Sequence, residues 1–217
     1  MKAAWKQPTA YRHVVWDWNG TLLDDGWLCV DVMNGVLRSR HMPELSIDRY
    51  RDVFNFPVID YYRALGFDFQ QESFEVVGTE FIEAYEARRH EARLHTDTIA
   101  VLNHLRDAGI SQSVLSAYRQ ETLDELIAWF GLTDYFDRLV GLQDHYAHSK
   151  IDNGVRWIAE LSHRPHDVLL IGDSVHDFEV AEAMNVDCIL IANGHQSRAR
   201  LGACGAPVLD ALSQLLS

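Results

Sequence analysis

Positive charge is in short supply in this chain. Its 217 residues carry 19 Lys and Arg against 32 Asp and Glu, a formal net charge of -13. No Lys/Arg cluster stands ready to neutralise a phosphate backbone, which argues against nucleic acid as a partner. Cysteine is scarce as well. Cys29, Cys188 and Cys204 sit in apolar or small-residue surroundings without metal-site spacing, and they read as buried or partly buried thiols. They build no disulfide framework, so a reducing cytoplasm is expected. No apolar run approaches the roughly 20 residues of a membrane span, and the opening stretch MKAAWKQPTAYRH lacks the apolar core of a signal peptide. Repeats, low-complexity tracts and long linkers are absent too. What is present, 47% hydrophobic and 24% charged residues, is the composition of a soluble globular protein. The length allows a sizeable core and one inserted subdomain. An acidic protein acting on anions needs a locally positive site, ordinarily a metal ion.

After Asp97 the chain alternates between two periods. TIAVLNHLRDAG predicts a helix with Ile99, Leu102 and Leu105 on one stripe, ended by Gly109. ISQSVLSA reads as a strand. ETLDELIAWFG is helical through Leu123, Leu126, Ile127 and Phe130, and DRLVGL is a short strand. IDNGVRWIAELS returns to helical spacing through Ile151, Val155, Ile158 and Leu161. DVLLIGDS is an apolar run, HDFEVAEAMNV is helical and CILIAN is apolar again. Strands and helices taking turns imply parallel strands with crossover helices, covered on both faces. HVVWDW near the start is one more such strand. Residues 26–92 break the rhythm with four helix-favouring stretches and no buried strand. The expected architecture is therefore α/β: a Rossmann-like parallel sheet with crossover helices from residues 1–25 and 93–217, plus an inserted α-helical cap over 26–92.

In open parallel sheets, ligands bind at the carboxyl ends of the strands. The first strand here ends in Asp17 and the second in Ser116. The third leads into a loop carrying Lys150, and the fourth ends in GDSVHD, with Asp173 and Asp177. Taken singly, each has a plainer reading: a turn or cap residue for Asp17, Ser116 and Asp177, a solvated lysine for Lys150. Together they would bring three carboxylates, a hydroxyl and an ammonium to one sheet edge. Carboxylates at close range repel, and a hard divalent cation relieves that; oxygen-only donors and phosphate chemistry point to magnesium.

The stretches DWNGT, VLSA, SK and GDSVHD match, in order, the four motifs of the haloacid dehalogenase superfamily. The chain resembles its phosphoglycolate phosphatase-like branch with a helical cap. The resemblance implies a five-stranded sheet and a mobile cap. The expected partner is a small phosphate ester, with no membrane, and the chain is expected to be a monomer or homodimer. The resemblance implies that Asp17 attacks phosphorus to form an aspartyl-phosphate. It also implies Mg2+ held by Asp17, the backbone carbonyl of Asn19 and Asp173, with Asp177 acting through water or by fixing Lys150. Ser116 and backbone N–H groups, Ala117 among them, would hold the phosphoryl oxygens. Lys150 would offset their charge, Thr21 would orient the first loop, and Gly20 would permit close approach of the backbone.

Relatives usually carry Asp where this chain has Asn19, and an amide neither gives nor takes a proton. Acid–base help is typically worth 10²- to 10⁴-fold, or roughly 3 to 5 kcal/mol. Four readings stay open. The enzyme is slow, with His176 or His195 as relay candidates; its substrate has a good leaving group, such as an acyl phosphate or anhydride; the Asn-Gly pair deamidates; or Asn19 is a variant that still works. On this reading Asn19→Asp raises turnover. Lys150 is followed by Ile151, where many relatives have proline, which leaves its charge intact. In the insertion, Phe54, Phe56, Tyr61 and Tyr62 gather around Pro57, and Arg63 is either a contact for a second substrate anion or a surface ion pair. Trp16 is expected in the core and Trp18 at the entrance. Glu83, Glu86 and Arg89 are expected in intrahelical pairs, and Asn193, His195 and Gln196 at the site edge. Phosphotransferase or mutase activity, dehalogenation without a metal and silent ligand binding are the competing functions.

Overall fold

The computed structural model describes residues 6–142 and 150–216. Ser149 of the SK motif lies outside them. Strand β1 (His13–Trp16) is followed by a two-residue strand β2 (Leu23–Asp24) and four helices: α1 (Gly26–Ser39), α2 (Ile47–Val53), α3 (Val58–Leu65) and α4 (Phe74–Arg88). β3 (Arg93–Leu94) then precedes α5 (Thr98–Asp107), β4 (Ser111–Arg119), α6 (Gln120–Trp129) and β5 (Arg138–Leu142). The chain closes through α7 (Lys150–Glu160), β6 (Val168–Gly172), α8 (Val175–Met184), β7 (Asp187–Ile191), a short α9 (Arg198–Leu201) and β8 (Val208–Leu209).

The main sheet has the order β5-β4-β1-β6-β7-β8, and all its pairings are parallel. It has six strands where the resemblance implies five; the extra one, β8, pairs along only Leu190 to Val208 and Ile191 to Leu209. From β1 the chain runs outward through β4 and β5, then returns to the other side of β1 as β6. β1 is therefore the switch point, where a crevice opens beyond the strand ends. Period-2 geometry divides the apolar residues between two layers. Val14, Trp16, Leu169, Ile171 and Val114 face one core, while Val15, Leu115, Val168 and Leu170 face the other. Both faces are covered, which is why these strands are continuous apolar runs.

Two helical stripes are rotated from their expected positions. Ile99 of α5 and Val155 of α7 are exposed, at 41% and 42%. In α5 the buried face is Val101, Leu102 and Leu105. Trp16 is buried and donates its indole N–H to Gln112 Oε1 at 2.9 Å. Trp18 is also fully buried, against Phe130, and so does not line an entrance.

The four helices α1–α4 lie between β2 and β3, which pair antiparallel as a two-stranded ribbon, Leu23 with Leu94 and Asp24 with Arg93. The chain thus leaves and re-enters the core side by side. The aromatics around Pro57 form edge-on contacts, Tyr50 with Tyr61 and Phe54 with Phe56, and Tyr61 and Tyr62 are buried. They are packing residues of the insertion. Of the expected charge pairs on α4, Arg89 meets Glu86 at 3.6 Å and also reaches Glu125 at 3.1 Å. Glu83 has no ion pair among the described residues.

Candidate active site

Neighbouring strands β1 and β6 place their next residues side by side. Trp16 pairs with Ile171, and the Asp17 N–H donates to the Ile171 carbonyl at 2.9 Å. Asp17 and Asp173 therefore emerge together at the carboxyl edge, both buried. Thr21 ties them: its hydroxyl lies 3.0 Å from Asp17 Oδ2 and 3.1 Å from Asp173 Oδ1. The loop turns back sharply enough for this because Gly20 adopts φ +78°, and a Cβ there would collide with the Asp173 carboxylate and His195.

Asp177 reaches the same spot from the first turn of α8. Its Oδ2 accepts from the N–H groups of Asp173 and Ser174 and from the Ser174 hydroxyl, closing a capping box. Its Oδ1 meets Lys150 Nζ at 2.5 Å, and the same ammonium meets Asp17 Oδ1 at 2.5 Å. So Asp177 is both a helix cap and the anchor of Lys150. Lys150 lies not in a loop but at the first position of α7, where it is 4% exposed. A lysine this buried needs paired charge, and these two carboxylates supply it.

Burial pushes the Asp17 carboxyl upward despite Lys150 and the Thr21 hydroxyl. Burial lifts Asp173 to about 8; His195 opposes this, and the charges of Asp17 and Asp177 add to it. Burial acts on Asp177 in the same direction, but Lys150 and the Ser174 hydroxyl outweigh it and hold Asp177 below the usual carboxylate range. Burial by itself would lower Lys150, but Asp17 and Asp177 hold it above its ordinary value. Oxygen atoms of Asp17, Asp173 and Asp177 all lie within 4.8 Å of one another. With Asp25 beside them, four buried carboxylates face two cations, Lys150 and His195. Buried oxygen donors with an excess of negative charge suit a hard divalent cation.

The expected residues divide into those at this edge and those elsewhere. Ser116 is buried, but it does not end its strand: β4 continues to Arg119 through a register shift after Leu115. Its Oγ accepts from the Tyr118 N–H at 3.0 Å. Ala117 follows it on β4 and is exposed. Arg63 is exposed on α3, where it pairs with Asp60 at 2.7 Å and lies over the Phe69 ring, the surface ion pair of its two readings. His176, in α8, pairs with Glu179 and packs on Phe56. His195 is at the edge but turned inward, with Nδ1 2.9 Å from the Tyr50 hydroxyl and Nε2 3.3 Å from Asp25 Oδ1. Burial would lower its pKa, but Asp25 and Asp173 hold it at about 9, so it carries charge. Asn193 and Gln196 are structural: the Asn193 carbonyl accepts from Arg51, and Gln196 bridges the Val175 N–H and the Phe54 carbonyl.

Asn19 opens onto a network that the motif does not contain. Its Nδ2 donates to Asp25 Oδ2 at 2.9 Å and to the Tyr85 hydroxyl at 3.2 Å. Asp25 also accepts from the Tyr85 hydroxyl at 2.6 Å and the Gly20 N–H at 2.9 Å. Burial opposes the charge on Asp25, yet His195 and these hydrogen bonds hold the carboxyl below its usual range. Sequence position makes Asp25 look like the N-cap of α1, but its side chain makes no cap bond there. Tyr85 arrives from α4, 60 residues on, and no local pattern announces it. Deamidation needs the Gly20 N–H as attacking group; here it is bonded to both the Leu23 carbonyl and Asp25.

Comparisons with known proteins agree with this arrangement. The sequence profile of the haloacid dehalogenase-like hydrolases matches residues 14–191. A phosphoglycolate phosphatase of Rhodobacter capsulatus is 26% identical over 187 residues, spanning 84% of this chain and 85% of the relative. Tyrosine-protein kinase PtkA of Mycobacterium tuberculosis is 26% identical over 184 residues, 84% of this chain and 62% of the relative. Among solved structures, a haloacid dehalogenase-like family hydrolase of Streptococcus pneumoniae superposes with a TM-score of 0.82 at 18% identity, over 96% of this chain and 98% of that one. A profile covering most of the chain, carried on the matching fold with its acidic strand ends assembled, leaves one conclusion: the chain belongs to the haloacid dehalogenase-like hydrolases.

Proposed function

We propose that the protein is a magnesium-dependent phosphohydrolase of small phosphate esters that works through an aspartyl-phosphate on Asp17. The observation that carries this reading is the convergence of Asp17, Asp173 and Asp177 with Lys150 at the switch-point edge of the sheet. Asp17, Asp173 and the Asn19 backbone carbonyl would hold the magnesium, with Asp177 behind them, and the ion would neutralise phosphoryl oxygens so that an anionic carboxylate can approach. Thr21 fixes the direction of the Asp17 carboxylate. Lys150 balances charge at the same oxygens, and Asp177 keeps it in place. Ser116 accepts from the backbone through its oxygen, which leaves its hydroxyl hydrogen for a phosphoryl oxygen; the Ala117 N–H serves beside it. Helices α1–α4, residues 26–92, act as the cap on a core of residues 1–25 and 93–217, excluding water when substrate is bound. The likeness to a phosphoglycolate phosphatase supports a small organic phosphate as substrate.

Phosphate release from a panel of phosphate esters tests this. Wild type should turn over with magnesium and stop with EDTA, and Asp17→Asn should fall to background. An Asp17→Asn protein as fast as wild type would sink the proposal. Transfer to an acceptor other than water is a second reading, favoured by the likeness to a protein kinase. Recovery of a phosphorylated acceptor instead of free phosphate would identify it.

A further inference from the structure

Resting on the phosphohydrolase reading, the geometry points to substrates whose leaving group departs without a proton, acyl phosphates and phosphoanhydrides, because Asp25 locks Asn19 as a hydrogen-bond acceptor. The amide has two N–H hydrogens, and both are engaged: Nδ2 lies 2.9 Å from Asp25 Oδ2 and 3.2 Å from the Tyr85 hydroxyl. A carboxylate oxygen accepts only from the NH2 end, so the amide cannot turn over. Its carbonyl Oδ1 has no hydrogen-bond partner among the described residues and stays available as an acceptor.

No other acid at the loop is free to take over. The Tyr85 hydroxyl donates to Asp25, and His195 points its two ring nitrogens at Asp25 and Tyr50. His95 Nε2 lies 3.1 Å from the Gly20 carbonyl. Thr21 and Lys150 donate to the aspartates themselves. Among the described residues, the hydroxyl and ring N–H groups of Tyr85, His195, His95 and Thr21 around Asn19 all have partners inside the protein. In the step this permits, a bond forms between an Asp17 oxygen and phosphorus while the bond from phosphorus to the leaving oxygen breaks. That oxygen keeps the electron pair and leaves as a carboxylate or phosphate anion. Water then attacks phosphorus, the Asp17 carboxylate recovers its electron pair, and the proton lost by water leaves with inorganic phosphate or to solvent. Asn19 Oδ1 holds the hydrogen of that water without removing it.

Asp25 is thus a positioning residue, and it gives Asn19→Asp the opposite sign from the motif-based expectation. A carboxylate at position 19 would face that of Asp25 across a present separation of 2.9 Å. Moving the charge instead of adding it, in Asn19→Asp/Asp25→Asn, keeps one carboxylate and one amide in contact and puts the acid at position 19.

The experiment measures kcat/KM for acetyl phosphate, pyrophosphate, aryl phosphates of graded leaving-group pKa and phosphoglycolate, on wild type and both variants. Wild type should fall steeply as leaving-group pKa rises. The double variant should flatten that slope by gaining roughly 10²- to 10⁴-fold on alkyl phosphates. Asn19→Asp alone should lose activity on every substrate. Wild type hydrolysing phosphoglycolate as fast as acetyl phosphate overturns the inference but leaves the phosphohydrolase reading standing. No Asp17-dependent turnover on any member overturns both. The wild-type series decides the matter even if a variant does not fold.

Discussion

His13 sits at the opposite end of β1 from Asp17, fully buried, with Nδ1 and Nε2 each 2.7 Å from a serine hydroxyl, those of Ser111 and Ser113. Burial, with His163 nearby, pushes its pKa from 6.5 down to about 4. The unfolded chain binds the proton near pH 6.5 and the folded chain does not until about pH 4. The stability this neutral histidine contributes is therefore complete above pH 6.5 and lost as the pH falls toward 4. Between pH 7 and 4.5 the loss should be about 2 to 3 kcal/mol. Urea unfolding at the two pH values should show His13→Gln losing that much less than wild type, and equal losses would refute the assignment. Asp17 and Asp173 were readable because each directly follows a strand, a place set by local pattern. Asp25 was not, because an aspartate before a helix looks like a cap, and its actual partners come from positions 19, 20, 85 and 195.

Between elements, the inserted helices are fastened to the loop that follows β7. Arg51 of α2 donates to the carbonyls of Gly194 and Asn193 at 2.9 and 3.0 Å, and the Ser197 N–H returns a bond to the Arg51 carbonyl. Gln196 and Arg200 both donate to the Phe54 carbonyl, and Arg200 also holds Asn55. The bonds from the two guanidinium groups are charge-assisted and worth about 1.5 to 3 kcal/mol each. Arg51→Ala/Arg200→Ala should speed amide exchange across Ile47–Leu65 by roughly 10- to 100-fold without matching change in β1 and β6. Unchanged exchange would mean that the aromatic packing alone fixes these helices. Sequence reading found the four helices and their order but not this fastening. Period and caps are local, whereas Arg51 and Arg200 meet their partners only through the fold. The same limit explains Lys150: helical spacing was plain from Ile151 onward, but only packing on Asp17 and Asp177 shows that the helix begins one residue earlier.

Over the whole molecule, a net charge of -13 surrounds the site proposed to take a phosphate ester. On the proposed function, approach of a phosphate dianion is opposed at long range and favoured only near Lys150 and the magnesium that the carboxylates would hold. Screening reaches about 10 Å at 0.1 M salt, so added salt removes the distant repulsion before the close attraction. At saturating magnesium, KM should fall several-fold between roughly 0.01 M and 0.15 M ionic strength while kcat stays level. A KM that climbs with salt would show that the local positive field dominates the encounter. The α/β architecture was legible at this scale, since apolar runs on two covered faces dictate parallel strands. The sixth strand was missed because two residues, Val208 and Leu209, are too few to show a period.

The ribbon of β2 and β3 has a topological consequence. Because the excursion departs and comes home through adjacent rungs, its length does not enter the pairing of the main sheet. Helices on that stem can grow, shrink or be exchanged with the spacing from Asp17 to Asp173 untouched. Recognition can thereby diversify around strand ends that stay fixed, with the Tyr85 contact to Asn19 as a tie between the two.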